Sequence, residues 1–165
     1  IEIADVPSYD NEAQLLDRNY NDLAPGYGHI MLRVATLREI MADKILAVAG
    51  RPAIKSRDIW DLKWLSWKEV PVDLDMVRKK LVDYKEEGIF EGNLERRIQE
   101  MLEPGYARTF EQEMSRFLDK NMRTNMMNMP SYSQTLIRHV SQNLTKALEG
   151  MNRGVKVIDA KELSM

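Results

Sequence analysis

The sequence predicts an α+β fold, with β structure at the front of the chain and a mostly helical bundle behind it. Three observations carry this reading. Apolar and polar residues alternate at Ile1-Glu2-Ile3, and again where Ile30, Leu32 and Val34 keep the two-residue period of a strand. Two capping-box signatures follow, Thr36-Leu37-Arg38-Glu39 and Thr109-Phe110-Glu111-Gln112. In such a box the Thr hydroxyl takes the third backbone N–H and the acidic or amide side chain reaches back. From residue 37 onward apolar residues recur at three- and four-residue steps, and no internal repeat stands out.

Taken in order, Ile1 to Ala4 reads as the middle of a strand with no initiator Met, so the chain is expected to be a fragment whose N-terminal neighbour is missing. Pro7 to Asn11 is turn chemistry, and Glu12 to Leu23 is polar and ambiguous. Pro25-Gly26-Tyr27-Gly28 breaks the chain before the strand of residues 30–35. Thr36 then caps a helix from Leu37 to about Ala49, which Gly50 closes and Pro52 keeps from continuing. Ser56 is the expected N-cap of a helix over 57–67, ended by Val70-Pro71. Asp73 caps a third, with Leu74, Val77 and Leu81, that stops at Gly88. Asn93 caps a fourth, with Leu94, Ile98, Met101 and Leu102, ended by Glu103-Pro104-Gly105. From Thr109 the residues Phe110, Met114, Phe117, Leu118 and Met122 continue at helical spacing. Pro130-Ser131 restarts the chain into a long helix with Leu136, Val140, Leu144 and Leu148, terminated at Gly150. Gly154 to Ile158 fits a short edge strand or an unstructured tail. The expected division is 1–68, then a helical bundle over 69–154, then a tail over 155–165.

Composition narrows the function. A chain of 165 residues buries roughly 70% of its unfolded surface, enough for a core without disulfides or a structural metal. With no Cys and only His29 and His139, neither a disulfide framework nor a zinc cluster is expected. No apolar run approaches the roughly 20 residues of a membrane span, and no signal peptide opens the chain, so a cytoplasmic protein without membrane contact is the expectation. Lys and Arg number 24 against 26 Asp and Glu. Contact with nucleic acid must therefore come from a local basic patch.

The stretch from Thr36 to Leu65 is richest in chemistry. Leu37, Ile40, Met41, Ile45 and Val48 define one apolar helix face, and Lys44 occupies a core position on it. Burying an unpartnered ammonium is costly, so Lys44 either snorkels to the edge, joins a structural ion pair, or meets a phosphate. Asp58 and Asp61 share a face of the next helix, and Arg57 can pair with Asp61 at four residues' spacing. Asp58 either complements the helix dipole from the first turn or orients Lys44 and a metal-bound phosphate. Arg51, Lys55 and Arg57 place three cations on one short connection beside a helix N-terminus, a plausible cradle for a triphosphate or an RNA backbone. Elsewhere the plainer readings prevail. Arg78-Lys79-Lys80 and Arg96-Arg97 read as solvated faces. Met122, Met126, Met127 and Met129 read as core filling and a helix end. Trp60, Trp64 and Trp67 read as a packed stripe rather than a base-stacking surface, and His139 as an ordinary or satisfied histidine.

The run Leu37-Arg38-Glu39-Ile40-Met41-Ala42-Asp43-Lys44, followed by Ala47, Arg51, Lys55 and Arg57-Asp58-Ile59-Trp60-Asp61-Leu62, resembles the C-terminal motif pair of the AbiEii/AbiGii toxin family. These are nucleotidyltransferase-like proteins of bacterial toxin–antitoxin and phage abortive-infection systems. The resemblance is specific over about thirty residues. It implies a DNA polymerase β-like nucleotidyltransferase, of which residues 1–68 would form the C-terminal part of the core. In such an enzyme Mg²⁺ held by carboxylates aligns an NTP for attack by an acceptor, often tRNA in this family. By the same resemblance Lys44 touches the triphosphate, Asp58 orients it or the acceptor, and Arg51, Lys55 and Arg57 line the nucleotide. Glu39 and Asp61 support them, and Glu2 on the opening strand stands as the third superfamily carboxylate, a metal ligand. The family's principal Asp-x-Asp metal motif and its Gly-rich loop are expected upstream of Ile1, which leaves this chain alone incomplete and inactive. The competing expectations are a non-catalytic helical module that binds a protein such as an antitoxin, and an RNA-binding domain using the cations of residues 51–57.

Overall fold

In the computed structural model, which describes residues 6–16, 26–129 and 131–163, helices dominate and the α+β expectation holds. Strands β1 (Asn11–Leu15) and β2 (Met31–Ala35) precede helices α1 (Leu37–Gly50) and α2 (Ser56–Trp67). Strand β3 (Val72–Asp73) leads directly into α3 (Leu74–Tyr84), followed by α4 (Phe90–Leu102), α5 (Tyr106–Met114) and α6 (Lys120–Asn128). The long α7 (Tyr132–Asn152), strand β4 (Val157–Ile158) and the single turn α8 (Ala160–Leu163) end the described chain.

The front sheet holds the expected strand over residues 31–35 and adds one, β1, where turn chemistry and an ambiguous stretch were expected. β2 pairs antiparallel with β1, from Asn11 opposite Ala35 to Leu15 opposite Met31. The strand expected over residues 1–4 lies outside the described residues, as does the stretch 17–23. β1 was hidden because Asn-Glu-Ala-Gln-Leu has no β-branched residue, and much of it is exposed; backbone pairing rather than side-chain burial defines it. The tail does form an edge strand, with Val72 opposite Ile158 and Asp73 opposite Val157.

Helix α1 is the hub, packing on α2, α3 and α4, while α7 packs across α4, α2 and α5. Met41, Ile45, Val48 and Ala49 bury its core face against Ile59, Leu62 and Leu65 of α2. Each such large side chain removed from water is worth about 1.5–3 kcal/mol. Ile158 and Leu163 join the same core from the tail.

Several helix ends depart from the sequence expectation, each for a local reason. Thr36 does cap α1, its Oγ1 accepting from Glu39 N at 3.3 Å. The return half of the box is not made, because the Glu39 carboxylate is taken by the chain before β1. Helix α2 begins at Ser56 rather than being capped by it: Ser56 N donates to Glu113 Oε2 of α5 at 3.2 Å. Asp73 caps α3 through Met76 N at 3.0 Å. That helix ends before Gly88, with Lys85 in the left-handed region at φ 57°. Asn93 and Thr109 lie inside α4 and α5. The chain breaks at Ser115 and α6 restarts with Asp119 as its cap, so one expected helix is two. Gly150 does not terminate α7. A Cβ there would come within 2.6 Å of Leu74 Cδ1, so the glycine lets α7 approach α3 and β4 closely.

Candidate functional site

The site grows from the connection between α1 and α2. Lys44 leaves the core-facing side of α1 and its ammonium reaches Asp58 Oδ1 at 2.9 Å and Asp61 Oδ2 at 2.5 Å. The three-residue spacing of the two aspartates on α2 puts both carboxylates on the side facing α1. Arg51, one residue past the end of α1, brings Nη1 to 3.0 Å from Asp58 Oδ2, which accepts no hydrogen bond of proper geometry. Asp58 is 2% exposed, whereas the side chains of Lys44 and Arg51 keep 26% and 37% of theirs. A buried carboxylate thus anchors two cations that reach the surface. Burial works against the Lys44 ammonium, but Asp61 and Asp58 outweigh it and hold its pKa above the ordinary lysine value. Lys44 is therefore a fixed positive charge.

A cleft of about 460 Å³ opens against this cluster, lined by Asp43, Lys44, Gly50, Arg51, Tyr84 and Glu86. The donor count shows what it can do. An ammonium has three N–H groups and Lys44 uses two; a guanidinium has five, and among the described residues Arg51 has only its ion pair with Asp58. Several charge-assisted donors thus remain at a cleft wall, which is the chemistry that takes an oxyanion such as phosphate.

The other sequence-selected residues scatter. Arg57 does not pair with Asp61, which Lys44 has claimed; its guanidinium lies 4.8 Å from the centre of the Phe117 ring. Lys55 is exposed at the start of α2. Glu39 belongs to a different cluster, on the α3 side of α1. It accepts from Ser8 Oγ at 2.8 Å, Tyr9 N at 3.0 Å and Asp10 N at 2.7 Å, and pairs with Lys80 Nζ at 2.7 Å. Burial alone would push its carboxyl up, but Lys80, the two backbone N–H groups and the Ser8 hydroxyl hold it at about 2. Glu2 lies outside the described residues.

Two cations read as solvated are structural. Lys80, 3% exposed, is pinned between Glu39 and Asp43. Arg97, 4% exposed, donates to Arg51 O at 2.7 Å and Pro52 O at 2.9 Å, and so holds the very turn that presents Arg51. The signal that marked Lys44 was available for both. Lys80 shares the apolar face of Met76, Val77 and Leu81, and Arg97 that of Leu94, Ile98 and Met101. His139 is satisfied, its Nε2 3.0 Å from Ser66 Oγ and 3.1 Å from Asn143 Nδ2. Trp60 packs against the core as a packed stripe would, but Trp64, Trp67 and Met122 are exposed. Met126 and Met127 side chains lie outside those described.

The described carboxylates do not fit a divalent metal. No group of three or more His, Asp or Glu among the described residues could hold one, and Asp58, Asp61 and Glu39 are each already faced by a cation.

Fold and site together define an α+β protein that fixes two cations at the wall of a polar cleft. Residues 1–138 match the family model described as nucleotidyl transferase AbiEii toxin, type IV toxin–antitoxin system, and the chain belongs to that family. It is thus a nucleotidyltransferase-family toxin of a toxin–antitoxin system. No curated protein and no solved structure matches the chain. No helix among the described residues is long and apolar enough to cross a membrane.

Proposed function

We propose that this chain supplies the triphosphate-holding half of a cytoplasmic nucleotidyltransferase that moves a nucleotide from an NTP to an acceptor RNA, with tRNA the first candidate. The observation that supports it is the convergence of Lys44 and Arg51 on buried Asp58 beside the cleft. In this reading Lys44 and Arg51 grip the β- and γ-phosphates. Asp58 is a positioning residue, fixing both cations, and Asp61 is the second anchor for Lys44. Lys55 and Arg57, exposed at the start of α2, meet the outer phosphates or the acceptor backbone. Glu39 supports from a distance by tying residues 8–10 to α1.

The reaction itself is a displacement: an acceptor hydroxyl oxygen bonds to the α-phosphorus, the bond to the β-phosphate oxygen breaks, the hydroxyl proton leaves to solvent and pyrophosphate departs. Charge gathers on the departing pyrophosphate, where donors fixed in advance need no reorganisation. Mg²⁺ is the cofactor this family reading brings, with its ligands placed outside the described residues, Glu2 among the candidates.

The test uses the product of the intact open reading frame, Mg²⁺, α-labelled NTPs and total RNA. Wild type should label RNA, and Lys44→Met should lose at least about a hundredfold, the scale of one lost transition-state donor. Undiminished labelling by Lys44→Met would refute the assignment.

A further inference from the structure

Helix α2 carries a second surface that the cleft does not use. Trp60, Trp64 and Trp67 line one wall of a groove of about 290 Å³, and Met122, Tyr132 and Leu136 line the other. Trp64 is 41% exposed and Trp67 71%. Two indoles in water on one helix face are an uncompensated apolar surface, and such surfaces mark interaction sites. Lysine is the charged residue of this groove. Lys63 lines it, has no carboxylate partner among the described residues, and is pulled below the ordinary lysine value by partial burial. Lys68 stands between two rings, its Nζ 5.6 Å from the Trp64 centre and 5.2 Å from that of Trp67.

We propose that this groove binds an unpaired stretch of nucleic acid, bases stacking on Trp64 and Trp67 while Lys63 and Lys68 take the phosphates. The occupant follows from the pairing of aromatic faces with cations. Every base has a face to stack, every linkage carries a negative charge, and aromatic residues alternating with lysines meet both. An apolar helix from a partner would bury Lys63 further without neutralising it, which the desolvation already felt by that ammonium disfavours. The groove is also placed to act with the cleft. Trp64 and Trp67 lie roughly 9 and 14 Å along the α2 axis from Asp58, about a third and about half of a turn around it, so different faces of one helix present the two surfaces. The proposal extends the acceptor side of the reading above, but its test needs no transfer activity.

The three tryptophans of the chain all lie in this groove, so intrinsic tryptophan fluorescence reports on it alone. Titration of this 165-residue chain with a ten-nucleotide single-stranded RNA, corrected for absorbance, should give saturable quenching that weakens with added salt. A blunt duplex of the same length and poly-glutamate should give at least tenfold weaker binding. By anisotropy of a labelled oligonucleotide, Trp67→Ala should bind about tenfold more weakly and Trp67→Phe should recover most of that loss. Lys63→Gln should lower the salt slope by about one counterion. Lys44→Met should bind the oligonucleotide as wild type does, which separates this groove from the cleft. Absence of quenching, equal binding of poly-glutamate (the signature of an acidic protein partner), or unchanged affinity in Trp67→Ala would overturn the proposal.

Discussion

Two lysines, each held by two carboxylates, stand at opposite sides of α1, and they differ in almost everything but composition. Lys80 reaches in from α3 to Glu39 and Asp43, both at 2.7 Å, with 4% of its side chain exposed. Lys44 reaches out from α1 to Asp58 and Asp61 with 26% exposed, beside a cleft and a second cation. In the first cluster the carboxylate of Glu39 is met by four donors, and that completeness ties the chain at residues 8–10 to the helix. In the second only the aspartate is sealed, and donors are left over. A closed ion cluster fastens the fold; an open one keeps charge ready for a ligand. The same two-to-one pairing therefore serves two purposes according to which partner is buried.

The largest effect is expected at Lys80. Lys80→Met leaves Glu39 buried without its countercharge, and losing one partner of a buried pair costs about 3–5 kcal/mol. For a chain of this length that lowers the melting temperature by roughly 10 °C, read by calorimetry. A loss under about 1 kcal/mol would show that the closed cluster does not fasten anything.

Next comes acid. The carboxyl of Glu39 is lowered from 4.5 to about 2 in the fold, so its contribution is fully present above the unfolded value and is lost as pH falls from about 4.5 towards 2. The loss is of order 3 kcal/mol at most, at 1.36 kcal/mol per unit. Urea unfolding at pH 7, 4 and 3 should show it, and Glu39→Gln should flatten that part of the profile.

The smallest effect belongs to the open cluster's outer member. Asp61 keeps 41% of its side chain exposed, so Asp61→Asn should cost less than about 1 kcal/mol, and salt should erase most of the difference from wild type. The Asp61–Lys44 contact, rather than a pair with Arg57, predicts that Arg57→Ala leaves this salt dependence unchanged.

Much of this contrast was legible in the residues. The step rule that found Lys44 on an apolar face, the capping role of Asp73 and the pairing of Asp58 with Asp61 on one face are local consequences of a 3.6-residue repeat, and all survive in the structure. What escaped was set by distant partners. The Glu39 carboxylate has a strong local option at the N-terminus of α1, yet Ser8, Tyr9, Asp10 and Lys80 offer it more. Ser56 looked like a cap because the true one, Glu113, arrives from 57 residues away. Spacing reads the tryptophans as a packed stripe, yet periodicity shows that residues share a face and not what covers that face. Only packing leaves Trp67 in water.

Lys44 is held for a ligand and Lys80 for the fold. The most direct measurement takes Lys44→Met, expressed from the intact open reading frame, and reads growth inhibition and melting temperature on the same protein. Lys44→Met should melt within about 3 °C of wild type, since a part-exposed pair is worth about 1 kcal/mol or less, and should lose growth inhibition. Wild-type growth inhibition by that variant, or a melting temperature that falls as far as that of Lys80→Met, would contradict this assignment.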